Sequence, residues 1–387
     1  MMVSHGSKMG ARVCCFGRQT RWFCFLCAGI LVAAVQGLAF AQPVSGRATR
    51  TREEVEALIR KVGSEAPDWW GATPLKYPDT LDLDWPLNAP GDWNNQRNVG
   101  QYLWDVINPN PGRWKEGIKL VHHLMLRNQA DRARLARSME TLGTMFHNFT
   151  QDWPRAVFWW RMSAKYGQPH DPAMMANCFW QMGCEEMARE ILAQLTSDYT
   201  RNGAIIKLWA DMGELDKALR LAEQKARGGN PNIAYLAAGN ACRQAGRMTE
   251  ALAYYRKAAN ARPAGEDNDD CKRARAQATE NIAVIRTFEM LDLKQTADGR
   301  YTATSTAFNG PLTVEVQVTA GRIASVRVTQ HQEKQFYSAL TETPRKIVER
   351  QSVKNIDACT GATITSEAII NATAKALAGG GAGGGNR

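Results

Sequence analysis

Cysteine is sparse in this chain and lacks pattern. Of the nine cysteines, Cys14, Cys15, Cys24 and Cys27 sit close to the N-terminus. The remaining Cys178, Cys184, Cys242, Cys271 and Cys359 are an odd set that builds no disulfide framework. Cys178 and Cys184 lie six positions apart on an expected helix, so they bridge only if that helix breaks between them. No Cys-x-x-Cys-His run occurs, which excludes c-type haem attachment, and no zinc-ligand spacing is found. Iron-sulfur and nicotinamide-binding patterns are missing too. Despite a net charge of +10, no Lys/Arg block forms a nucleic-acid footprint, so no nucleic-acid partner is expected. The charge argues instead, weakly, for acidic partners or anionic lipid. With 387 residues, 44% of them hydrophobic and 22% charged, the chain is neither disordered nor a polytopic membrane protein, and it has length for two or three domains.

The N-terminus reads as an export signal spanning residues 1–41. Lys8, Arg12, Arg18 and Arg21 precede any acid, Trp22 to Ala41 is apolar except for Gln36, and Ala39-Phe40-Ala41 supplies a small-x-small cleavage pattern. Met9 is an alternative start. Either cleavage before Gln42 or retention as an anchor puts the remainder outside the cytoplasm, periplasmic or membrane-attached. Neither a lipobox nor an Arg-Arg pair is present at this end.

Residues 42–130 form a Trp/Pro-rich, mainly helical segment. Arg52 to Val62 is an amphipathic helix, and Trp69, Trp70, Trp85 and Trp93 lie among Pro67, Pro74, Pro78, Pro86 and Pro90. Such aromatic content predicts an apolar strap packed over the elements that follow, continued by Trp104 and Trp114; an aromatic stacking site is the alternative. His122 and His123 face different sides of a helix, and core or surface roles explain them.

Residues 131–293 carry a degenerate helical repeat. Asn232 to Pro263 reads as one tetratricopeptide-like unit, with Tyr235, Ala238, Gly239 and Cys242 on its first helix and Ala251, Tyr255 and Ala258 on its second. Earlier units appear at Ala218, Ala188 and Ala156, and Gly246, Gly213 and Gly183 stand five residues before the corresponding alanines to turn the chain. Single units cannot bury their apolar faces, so they stack, and the expected use is docking of a protein partner. An inert spacer is the alternative. An acidic loop at Glu266 to Asp270 lacks calcium-loop spacing, and a helix from Cys271 to Leu293 caps the array.

From residue 294 to 378 the pattern changes to that of a small α+β domain with an antiparallel sheet. Tyr301 to Thr306 is one strand, Leu312, Val314, Val316 and Val318 point inward from a second, and Ala324, Val326 and Val328 from a third. A helix is expected from Thr343 as cap with Pro344 in its first turn, then a short strand at Val353 to Ile356. The loop from Asp357 to Ser366 and a last helix from about Glu367 to Leu377 follow. Gly361 and small residues suit close backbone approach to an anion. The hydroxyls of Thr360, Thr363, Thr365 and Ser366 add donors, Thr365 or Ser366 can cap the helix, and its positive end faces the same place. Phe308, His331 and Tyr337 are neighbours in sequence order only. Residues 379–387 form a flexible Gly-rich tail.

Residues from about Tyr301 to Leu377 resemble the FMN-binding domain of exported subunits of the sodium-translocating NADH:quinone reductase and the Rnf complex. Asn309-Gly310-Pro311-Leu312 through Val328 carries part of the likeness. Asp357, Thr360, Gly361, Ala362 and Thr363 match the flavinylation pattern D-x-x-S/T-G-A-T at every specified position. The resemblance implies FMN joined through its phosphate to Thr363 by a separate flavin transferase that uses FAD. It implies that Asp357, Thr360, Gly361 and Ala362 form the recognition loop, with Ile364 and Thr365 continuing the cofactor site. The quinone-reductase subunits lack a repeat array, so their membrane role does not carry over. The reading is an exported flavoprotein relaying electrons between an external donor and acceptor, an electron carrier rather than a dedicated catalyst, with no catalytic residue and no metal assigned. A flavin-dependent reductase or oxidase with its own small substrate, or a non-redox scaffold with an unflavinylated domain, stays open.

Overall fold

The computed structural model describes residues 48–85, 91–195, 202–263, 267–334 and 337–382; the expected export signal and the last five residues lie outside them. Among the described residues, no helix is long and apolar enough to cross a membrane.

Helix α1 (Arg52–Ser64), the short α2 (Val99–Tyr102) and α3 (Trp114–Arg127) precede four helix pairs. These are α4 (Arg132–Met145) with α5 (Trp153–Lys165), α6 (Pro172–Gln181) with α7 (Glu185–Gln194), α8 (Asn202–Asp211) with α9 (Leu215–Ala226), and α10 (Pro231–Gln244) with α11 (Met248–Asn260). The long α12 (Asp269–Met290) closes the array. Ala156, Ala188, Ala218 and Ala251 each occupy the fourth position of a second helix, and all are fully buried where paired helices meet. The turns before them use Gly183, Gly213 and Gly246 at φ of 91°, 80° and 76°, and in the first pair Gln151 takes the same left-handed conformation at 52°. Gly239 on α10 is required by contact: a Cβ there would lie 2.5 Å from the Tyr255 ring. The break between α6 and α7 that a Cys178–Cys184 bridge would need is present, yet both thiols are free and buried.

The aromatic strap packs on α3. Lys119 Nζ donates to the carbonyls of Trp70 and Thr73 at 3.0 and 2.6 Å. His122 sits edge-on to Trp70 and Trp159, and His123 stacks on Tyr77. Trp85 is buried, whereas Trp93 is exposed and donates to Asp105.

His147, in a π-helical turn between α4 and α5 (Phe146–Thr150), is 3% exposed beneath Trp153 and Trp160. Burial pushes its pKa down to about 4. A depressed imidazole contributes stability that is present above its ordinary value near 6.5 and lost as pH falls toward 4, about 3 kcal/mol over the whole window. Denaturant midpoints measured from pH 7 to 4 should therefore fall, and His147→Phe should flatten that limb. An unchanged slope in the variant would assign the loss to other groups.

The C-terminal unit is a three-stranded antiparallel sheet in the order β1 (Gly299–Thr306), β2 (Pro311–Thr319), β3 (Arg322–Gln330), backed by α13 (Ser338–Arg350) and α14 (Thr363–Ala382). Leu312, Val314, Val316 and Val318 are fully buried as their alternation requires. In β3, however, Ile323 rather than Ala324 faces inward. Gln317 pairs with Ser325 and Val318 with Ile323, so Ala324 is the extra residue of a bulge and is exposed.

Three further expectations near the site are corrected. Helix α13 starts at Ser338, not at a Thr343 cap, and Pro344 lies inside it. Burial of Ser338, Ala339, Leu340 and Thr343 outweighs the backbone bond that Pro344 removes. Val353 to Ile356 forms turns, with Asn355 at φ 56°, instead of a strand. Helix α14 begins at Thr363 and runs to Ala382; its body up to Leu377 is apolar on nearly all sides and packed against β1, β2, α12 and α13, while Gly379 beyond it is exposed. Thr365 and Ser366 are thus within its first turn and do not cap it.

Candidate functional site

The loop between the Asn355 turn and α14 is held by its own backbone. Ala362 N–H donates to the Cys359 carbonyl at 2.9 Å, Ser366 N–H to the Ala362 carbonyl at 2.9 Å, and Cys359 N–H to Ser366 Oγ at 3.0 Å. Gly361, exposed at φ 85°, lets the chain turn into the helix. Thr363 follows as the first helical residue, half-buried, and the N–H groups of Thr363, Ile364 and Thr365 open α14 without intrahelical acceptors. Of the four hydroxyls, two have local employment: Thr365 Oγ1 donates to Glu333 Oε2 at 2.7 Å, and Ser366 Oγ accepts from Cys359. Thr360 and Thr363 remain at the loop. Cys359 is buried and its thiol is pushed up by that burial, so it is no thiolate nucleophile.

Asp357 is fastened by two lysines. Lys207 Nζ on α8 donates to its Oδ1 at 2.6 Å, and Lys346 Nζ on α13 donates to its carbonyl at 2.9 Å and lies 3.5 Å from Oδ2. Lys207 also meets Asp211 at 2.5 Å and is buried, with its pKa raised by the two carboxylates against the opposing effect of burial. Burial raises Asp211 to about 6, with Lys207 opposing and Asp357 reinforcing the shift.

These contacts bring the repeat array to the site, which local sequence reading missed. A cleft of about 210 Å³ opens between them, lined by Lys207 on α8, a face of α10 carrying Ala237, Asn240 and Gln244, then Phe308 and the loop from Gly361 to Thr365. A buried polar network fixes its walls. Arg243 on α10 pairs with Glu367 and donates to Asn371 Oδ1 at 3.0 Å, both on α14. Asn371 donates to Asn281 on α12 at 2.6 Å, and Asn281 and Tyr255 donate to Asn240 at 3.3 and 2.9 Å. Glu333, also missed, is 4% exposed and accepts from Asn309 N–H at 2.9 Å as well as from Thr365. The available signal for Lys207 was a Lys/Asp pair at i, i+4 inside the apolar run of α8; nothing local marked Glu333 or Arg243. Phe308 reaches the cleft, with the Arg273 guanidinium 4.4 Å over its ring. Tyr337 is fully buried with His331 6.3 Å away, and neither lines the cleft.

Fold and site together define a helical array joined to a small α+β ligand-binding domain whose motif loop opens a helix. Residues 308–378 match the family model of the FMN-binding domain, which supports flavin binding by this unit with FMN as its cofactor. No curated protein and no solved structure matches the chain significantly. The residues present suit such a group: three backbone donors at a helix N-terminus and the half-buried Thr363 hydroxyl lining the cleft favour a phosphate, while Lys207 and Lys346 are engaged by Asp357.

Proposed function

We propose that the protein is an exported flavoprotein that carries FMN as a phosphoester of Thr363 and relays electrons between extracytoplasmic or membrane redox partners. The observation that carries the reading is the intact motif from Asp357 to Thr363 with its last residue lining a cleft. A flavin transferase joins Thr363 Oγ to the FMN phosphorus of FAD; the pyrophosphate bond breaks, AMP leaves and the hydroxyl proton goes to solvent. The flavin then supplies electron acceptance and donation, its ring being untouched by a linkage through phosphate. The chain's own part is retention and orientation. Asp357, tied by Lys207 and Lys346, sets the loop, Gly361 gives it room, and Glu333 holds the first turn through Thr365. Electrons come from a donor and leave to an acceptor outside this chain, and a protein partner docks on array surface away from the cleft.

Intact mass of the exported protein, coexpressed with a flavin transferase and denatured to strip loose cofactor, tests this. The expected increase is one FMN less one water, lost in Thr363→Ala. An unmodified wild-type mass, or covalent flavin retained in the variant, overturns the assignment.

A further inference from the structure

We infer that the helical array is part of the flavin site: α8 and α10 form the wall against which the ring system of the FMN lies, so the repeats bind cofactor as well as carry the domain. The inference rests on the reading that FMN is attached at Thr363.

Thr363 is on one side of the cleft and the array on the other. The array side is a single helix face: Ile233, Ala237, Asn240 and Gln244 on α10 recur at intervals of three and four. Ala204 on α8 and Ala237 and Ala241 on α10 are small where the cleft is lined, which permits a flat ring to approach the helices closely. Ile233, Leu236 and Phe308 add apolar surface, and Lys207, Asn240 and Gln244 add polar groups. That mixture matches an isoalloxazine, apolar at its dimethylbenzene end and rich in hydrogen-bond acceptors at its pyrimidine end.

Asn240 supplies the most specific observation. It is 8% exposed, and its Oδ1 already accepts from Tyr255 and Asn281. Among the described residues its amide N–H2 has no protein acceptor, and Asn240 lines the cleft, so this donor faces the space where a ligand carbonyl or ring nitrogen can accept from it. The walls cannot drift apart freely, since Arg243 holds Glu367 and Asn371 while Lys207 holds Asp357.

The test uses full-length protein made with the flavin transferase, checked for the covalent mass, and probed by iodide quenching of flavin fluorescence beside free FMN. The wild type is expected to be quenched several-fold less steeply than free FMN. Ala237→Leu, which fills the cleft from a half-buried position, should move the quenching several-fold toward the free value with the covalent mass retained. Asn240→Leu should shift the flavin reduction potential at unchanged attachment. Covalent mass with quenching equal to free FMN in the wild type overturns the inference and leaves the Thr363 reading standing; the wild-type comparison needs no variant to fold. Protection unaffected by Ala237→Leu and a potential unaffected by Asn240→Leu also overturn it. Absence of the covalent mass sinks the Thr363 reading, and this inference with it.

Discussion

Lys207→Met should destabilise the protein by about 3–5 kcal/mol at neutral pH, the cost of leaving buried charge without its counter-ion. Lys207 Nζ stands between Asp211 and Asp357, at 2.5 and 2.6 Å. Methionine preserves much of the volume and removes the only cation that reaches both carboxylates among the described residues. The loss should depend on pH with a defined sign. Asp211 is already raised to about 6 in the presence of the lysine, and without it the buried acid holds a proton still more tightly. A carboxyl raised in the folded state contributes stability below its unfolded value near 4 and loses it as pH rises through the folded value. Denaturant unfolding should therefore show the largest deficit at pH 8 and a smaller one at pH 5. Lys207→Met with Asp211→Asn should recover part of it at pH 8. A pH-independent deficit, or no recovery in the double variant, would show that lost packing rather than stranded charge is responsible.

Arg243→Met should cost a similar amount, about 3–5 kcal/mol, and should change the form of unfolding as well as its midpoint. Arg243 is 6% exposed and joins α10 to α14 through Glu367 and Asn371. Its removal strands Glu367 beneath the interface and takes one member from the network that runs through Asn371, Asn281 and Asn240. Calorimetry of the wild type should show the last helix pair and the C-terminal unit melting together. In the variant an earlier transition of the C-terminal unit should separate from that of the array. Arg243→Lys should restore the charge but not the fork that serves two partners, and so recover only part of the coupling. A single, unshifted transition in Arg243→Met would mean that apolar contacts alone hold the two parts together.

Local chemistry accounts for most of what could be read along the chain. The repeating alanines, the turn glycines and the alternation through Leu312 to Val318 each act within a few residues, where helix and strand periodicity translate directly into burial. The Asp357 to Thr363 motif was legible for the same reason, as a contiguous pattern. The errors fall where distant contacts overrule local preference. The bulge at Ala324 depends on pairing with β2, the start of α13 on burial of Ser338 to Leu340, and the early start of α14 on burial of Thr365 to Ile370 within a shell of sheet and helices.

From the sequence alone came a helical repeat followed by a small α+β domain, with a phosphate-suited loop ending in Thr363, because each of these is written in residues close together. Only the tertiary structure decided that Lys207, Asn240 and Arg243 of the array belong to the neighbourhood of that loop. They lie more than a hundred residues before it, and a buried cation declares its purpose only when folding sets it against the carboxylate it must neutralise.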